Sequence, residues 1–206
     1  MKCRIVIAFF SLLLSASVYA QSLWDISKPD HNFTYGFRVG INFSSTDMDY
    51  ATSTRNGFHL EATIDWNIVK SFSMSSGLEF VSKGFKSNFG KGETDYLQMP
   101  LHASYRIETV TGVQFHFNVG PYFAWGISGS VDYKPYDATF SYYYQQDSFG
   151  ANGFFKHFDA GLSAGAYIKL NHILFGVSYE YGLVDIAKVY GKFHNRNVSV
   201  NLGYNL

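Results

Sequence analysis

Cysteine is nearly missing from this chain. The one present, Cys3, lies before an apolar run and not at a cleavage point, so it is no lipoprotein acceptor. From residue 21 onward there is none, which excludes a disulfide framework and a thiolate metal site. Proline is scarce, at 4 residues, and charged residues make up 16%, against about a quarter in ordinary proteins. The 16 basic and 16 acidic residues cancel, and no basic stripe suits nucleic acid. Long apolar runs are missing too. Beyond residue 20 no segment approaches the roughly eighteen apolar residues of a spanning helix, so a helical membrane protein is excluded. The seven histidines, at 31, 59, 102, 116, 157, 172 and 194, show no His-Glu-x-x-His spacing, and no glycine-rich phosphate loop precedes a helix. No metal or cofactor is implied.

Aromatic residues and glycine are abundant instead: 20 Phe, 16 Tyr and 19 Gly. The first twenty residues stand apart. Lys2 and Arg4 precede an apolar run from Ile5 to Ala16, followed by Ser17, Val18, Tyr19 and Ala20. This reads as a signal peptide cut after Ala20. Residues 21–32 read as a polar leader and 33–206 as one domain.

The dominant signal in that domain has a period of two. From Gly57 to Ile68, Phe58, Leu60, Ala62, Ile64, Trp66 and Ile68 alternate with His59, Glu61, Thr63, Asp65 and Asn67. A helix would not produce this pattern; a half-buried strand does. The same alternation predicts strands at 33–43, 72–83, 97–107, 113–127, 158–170, 173–183 and 197–206, eight in all. Each is long enough to cross a bilayer when tilted.

The connections alternate in length. Val69-Lys70-Ser71, Glu108 to Gly112 and Asn171-His172 are short; Ser44 to Asn56, Gly84 to Tyr96, Gly129 to Lys156 and Val184 to Arg196 are long. Short turns on one rim and long loops on the other define the outer-membrane pattern of periplasmic turns and extracellular loops. The expected fold is all-β: an eight-stranded antiparallel up-and-down transmembrane β-barrel. A soluble barrel with an apolar interior is the competing reading, and three features oppose it. The polar face is built from Gly, Ser, Asn and Thr, which fit a tight lumen. Aromatics cluster at both strand ends as two girdles: Trp66, Phe72, Tyr105, Phe115 and Tyr204 on the short-turn side, and Phe43, Phe58, Phe80, Trp125, Tyr181 and Phe193 on the other. The final strand keeps its alternation to the last residue.

The inward face then carries Arg38, Lys83, Arg106 and Lys169, with Glu61, Asp65, Glu79, Asp159 and Glu180. Buried charges must be paired, so these nine predict a lumenal network, with His59, His102 and His116 as further members. A structural role for it is favoured over transport, since an eight-stranded barrel leaves little lumen. The loop from Gly129 to Lys156 offers a different signal: Tyr133, Tyr136, Tyr142, Tyr143 and Tyr144, with Phe140 and Phe149. Tyrosine gives contact area at low entropic cost and suits a binding surface. Aromatic runs also suit extended strands, and the favoured reading is that these residues extend the strands, with Phe140 to Tyr144 continuing a hairpin above the membrane.

Four segments carry a family resemblance. They are Tyr35 to Phe43, the Tyr96-Leu-Gln-Met-Pro-Leu101 strand, Phe117-Asn-Val-Gly-Pro-Tyr122, and Phe158-Asp-Ala-Gly-Leu-Ser-Ala-Gly165. Their order and spacing resemble the PorT-like outer-membrane β-barrel family of Bacteroidetes. The resemblance implies an outer-membrane barrel, usually without known activity, one class being associated with type IX secretion. Many outer-membrane barrels end in Phe or Trp; this chain ends in Leu206, with Tyr204 two places earlier.

The functional expectation is a monomeric, non-catalytic barrel of the Gram-negative outer membrane, in contact with lipid. A surface or secretion-system protein is its expected partner. A narrow channel and a lipid-modifying enzyme are the alternatives. The enzyme would need a Ser-His pair at a lipid-facing rim. His157 and His194 are the candidates, and parity places no such pair there.

Overall fold

The computed structural model describes residues 24–47, 53–87, 90–133, 144–188 and 192–206. The signal segment, and Tyr136, Phe140, Tyr142 and Tyr143, lie outside the described residues.

Eight long strands close a barrel: β1 (Phe33–Asp47), β2 (Ser53–Val69), β3 (Phe72–Ser87), β4 (Gly90–Glu108), β5 (Val113–Ser128), β8 (Phe158–Leu170), β9 (Ile173–Gly182) and β10 (His194–Asn205). Each pairs antiparallel with its neighbours, and β1 meets β10 through twelve registered residue pairs, Gly36↔Asn205 to Asp47↔His194. Closure leaves the barrel no free edge, as a lipid environment demands. Two short strands, β6 (Ser130–Tyr133) and β7 (Tyr144–Asp147), form a hairpin above the barrel, with β6 laid against Gly90–Gly92 of β4.

Parity behaves as the alternation predicts. On β1, the side chains of Phe33, Tyr35, Phe37, Val39, Ile41 and Phe43 are exposed on the outer face, while Arg38, Asn42 and Ser44 are buried. The same holds on β2, where Phe58, Leu60, Ile64 and Trp66 face out and His59, Glu61, Thr63 and Asp65 face in. An exposed apolar belt of this extent is stable only against lipid.

The short turns are tight. Asn171 adopts a left-handed conformation (φ 55°) in the Asn171-His172 turn, and Gly112 (φ 79°) closes the turn whose Thr109 amide donates to Val113 O at 2.9 Å. Both conformations suit the residue types found there. The leader is tied to the same rim. The amides of Asn67, Lys70 and Ser71 donate to the carbonyls of Asn32, Ser27 and Asp25, and the Trp24 ring stacks on Tyr105 at 5.7 Å.

Two expectations about the long connections change. Most of Ser44–Asn56 and Gly84–Tyr96 is strand, not loop: β1 and β2 run to Asp47 and from Ser53, and β3 and β4 to Ser87 and from Gly90. Above the apolar belt the outer face turns polar at Asp47, Lys86 and Lys91 while Ser44, Thr46 and Thr94 stay buried on the inner one, so the apolar alternation stops while the hydrogen-bonded ladder continues. Phe193 leaves the outer girdle. It packs against Phe155 over the barrel mouth, with ring centroids 5.8 Å apart.

Candidate functional site

Arg38, Glu61, Glu79 and Gln98 are directly opposite one another on β1, β2, β3 and β4. Register therefore brings one row of charged and amide side chains together across half the lumen. Arg38 Nη1 lies 3.2 Å from Glu61 Oε2, and the guanidinium covers the Tyr167 ring at 5.0 Å. Lys83, fully buried, reaches across the barrel to Glu180 Oε2 at 2.9 Å and donates to Gln98 Oε1 at 2.8 Å. Its ammonium also sits 4.5 Å from the Tyr122 ring centre. Gln98 is the hub: its Nε2 donates to Glu79 Oε2 at 2.9 Å and to Glu180 Oε1 at 2.5 Å. Asn197 Nδ2 adds a further bond to Glu180 at 3.2 Å.

Above this layer Asp159 accepts from Asn195 Nδ2 at 2.9 Å and from the Tyr122 hydroxyl at 3.3 Å. Below it the contacts are separate. The Ser75 hydroxyl donates to Asp65, and Arg106 Nη2 donates to Asn67 Oδ1 at 2.7 Å. Thus Arg38 joins Glu61, and Lys83 joins Glu180 and Glu79 through Gln98. Asp65, Asp159 and Arg106 bind neutral partners. Lys169, near the periplasmic rim opposite Gln114, makes no ion pair among the described residues. The histidines are spread out: His59 Nδ1 meets Asn42 Oδ1 at 2.6 Å, His102 Nε2 meets Ser163 Oγ at 2.5 Å, and His116 Nε2 meets Gln114 Oε1 at 3.1 Å.

The sequence reading missed two classes of residue. Gln98, Asn42, Asn195 and Asn197 carry no charge, so a search for ionisable groups passes over them. Tyr96 and Tyr122 point inward and are fully buried. Parity with Gln98 and Gly120 would have placed them there.

The extracellular mouth is closed by apolar contact. Phe149, Phe155 and Ile186, from the segments after β7 and β9, bury themselves against Val81, Phe85, Tyr96, Tyr122, Ala124 and Val131. Phe149 meets Tyr96 edge-on at 5.5 Å, and Phe155 meets Phe85 at 6.1 Å. Each such ring contributes roughly 1.5–3 kcal/mol by burial. The two segments are stitched together by Lys156 N→Ile186 O (2.8 Å), Lys188 N→Phe154 O (3.0 Å) and a Phe155–Ala187 bridge. Beside this cap stand the described tyrosines of the loop. Tyr133 and Tyr144 stack at 6.0 Å on the β6–β7 hairpin, Tyr133 packs edge-on against Phe154, and Tyr144 is 57% exposed.

A closed eight-stranded barrel with an apolar outer belt, short turns on one rim and a capped mouth on the other is an outer-membrane barrel. The chain belongs to the outer membrane protein beta-barrel domain family, whose model matches residues 19–188. Neisserial surface protein A (NspA) is similar in fold, with a TM-score of 0.50 at 8% identity over 82% of this chain and 96% of that one. Ail, the attachment invasion locus protein of Yersinia pestis, is 15% identical over 85% of this chain and 100% of that one, with a TM-score of 0.46. OprG of Pseudomonas aeruginosa is 16% identical over 88% and 99%, with a TM-score of 0.43. No curated protein matches the sequence.

Proposed function

We propose that this chain is a plugged, non-catalytic outer-membrane barrel whose role is exercised by its extracellular surface. The observation that carries this reading is the double closure of the lumen. Charged and amide side chains cross its middle, and the Phe149–Phe155–Ile186 cap covers its mouth. A solute path would have to break both. The surface, in contrast, presents the Tyr133–Tyr144 stack on a hairpin held clear of the membrane. Tyrosines so displayed suit protein contact. A lipid-acting enzyme would want a Ser–His pair at the rim, whereas the hydrogen-bonded pair His102–Ser163 lies inside the barrel wall. Export by the signal peptide, and kinship with the PorT-like barrels of Bacteroidetes, belong to the same proposal. So does a monomer ringed by lipid, supported by the apolar belt. The resemblance makes a secretion-system component one candidate partner.

The test is covalent crosslinking on intact cells with the native barrel and with Tyr133→Ser/Tyr144→Ser. A surface protein captured by the native barrel, and lost with the variant, is the expected result. Large steady steps in planar-bilayer conductance would overturn the plugged lumen. An altered lipid A mass profile on deletion would overturn the non-catalytic reading.

A further inference from the structure

The lumen is not packed solid at mid-height. Bordered by Arg38 and Glu61 of one ion pair and by Glu180 of the other lies a cavity of about 20 Å³. Its wall includes Arg38, Glu79, His102, Ser178, Glu180 and Asn201. A water needs about 10–15 Å³ and two to four polar partners. Arg38 also has a donor to spare. Glu61 engages its Nη1, but its buried Nε has no hydrogen-bond partner in the protein. Glu79 has an unmet demand of the opposite kind. It accepts from Gln98, yet no cation lies within 4 Å among the described residues.

We propose that this cavity binds one ordered water. The water accepts the Arg38 Nε–H and donates to the carboxylates of Glu79 and Glu180, joining the two ion clusters into a single network. The wall chemistry selects water over other occupants. A metal cation offers the guanidinium N–H no lone pair. An anion would face the carboxylates of Glu61, Glu79 and Glu180. An organic ligand is too large. Water alone both donates and accepts. The cap above, and the Asp65–Ser75 and Arg106–Asn67 contacts below, make it a resident molecule and not a link in a conducting file. The proposal concerns the lumen and stands apart from the surface role.

The experiment uses the full barrel, labelled with nitrogen-15, in lipid nanodiscs. Water-selective cross-relaxation is read at the Arg38 Nε–H. A cross-peak with the sign of slow tumbling, marking residence beyond nanoseconds, is expected. A dry Arg38 Nε–H overturns the proposal. Ser178→Val fills the space from the wall, and the cross-peak should vanish while the barrel amide spectrum persists. Ser178→Thr serves the same purpose if the valine variant does not insert. Survival of the peak in the filled variant places the water elsewhere and also overturns the assignment. A shift of the Arg38 signal when sodium is replaced by N-methylglucamine at equal ionic strength would indicate a bound cation and would overturn it as well.

Discussion

The middle of the lumen and its extracellular mouth are both closed, by opposite chemistries. At mid-height, Arg38 holds Glu61, Lys83 holds Glu180, and Gln98 holds Glu79, all through short, directed contacts. At the mouth, the side chains of Phe149, Phe155 and Ile186 are held by contact area, while hydrogen bonds such as Gly126 N→His157 O (2.7 Å) and Ser148 Oγ→Glu93 O (2.5 Å) tether only the segments that carry them. The first closure is supplied by strands whose positions the barrel ladder fixes. The second is supplied by loops. The middle should therefore fail globally, and the mouth locally.

The largest expected effect follows from removing Lys83. Lys83→Met leaves Glu180 buried without its cation, a loss of about 3–5 kcal/mol for a broken buried pair. Urea unfolding in lipid vesicles, read by the heat-modifiable gel shift, measures it. Adding Glu180→Gln to the lysine variant should restore much of the loss, because the uncompensated charge goes with it. If Lys83→Met shifts the midpoint no more than a surface lysine does, charge pairing does not hold the middle.

At the mouth, Phe155→Ala should cost about 3 kcal/mol, in keeping with other buried Phe truncations. The loss should appear differently. The barrel ladder does not depend on Phe155, so the gel shift midpoint should scarcely move. Protease cleavage within residues 148–157 and 183–188 should rise instead. Conductance should stay closed, since the ion clusters below remain. A conducting Phe155→Ala barrel would show that the cap, and not the charges, is the seal.

One strand residue forms the seat of the cap. Gly126 on β5 lies under the Phe149 ring, and a Cβ there would sit 2.3 Å from the ring. Gly126→Ala must push Phe149 out of the mouth, at about 1–2 kcal/mol for such overpacking. Loop proteolysis should increase as with Phe155→Ala, but less. An unchanged digestion pattern would mean that the ring finds another seat at no cost.

The two closures also differed in how far the sequence revealed them. The middle was legible because strand parity is a local property: once Phe58 and Leu60 face lipid, His59 and Glu61 must face the lumen. Register then did what parity could not, setting Arg38 opposite Glu61 and Glu79 opposite Gln98. The mouth was illegible for a physical reason. Phe149, Phe155 and Ile186 lie in irregular segments with no period, and they meet only when β8 and β9 bring their flanks together. The strand extensions at Ser44–Asp47 and Ser53–Asn56 were hidden because both of their faces carry polar side chains, the buried Ser44 and Thr46 included, so no apolar alternation marks them. Phe193 was misplaced because an aromatic near a strand end reads alike whether it faces lipid or a cap.

The smallest effect concerns pH and bears on the mouth alone. Asp185 Oδ1 accepts the Phe193 and Ala187 amides, each at 3.0 Å, and so fixes the segment that carries Ile186. The Phe193 amide, foremost, holds its carboxyl below the usual carboxylate range; burial opposes it, and the Ala187 amide and the Lys156 charge add to the lowering. A carboxyl whose folded value is depressed stabilises the fold above its unfolded value. That contribution is lost as pH falls through the folded one. The cap should therefore be indifferent to pH around neutrality and loosen only in acid below the ordinary carboxylate range. Hydrogen exchange at the Ala187 and Phe193 amides, corrected for intrinsic rate, should show protection falling there while the amides of β1 and β10 keep theirs. Asp185→Ala should show the reduced protection already at neutral pH and no further acid step. An acid step that persists in Asp185→Ala would assign the pH response to another carboxylate and leave Asp185 a spectator.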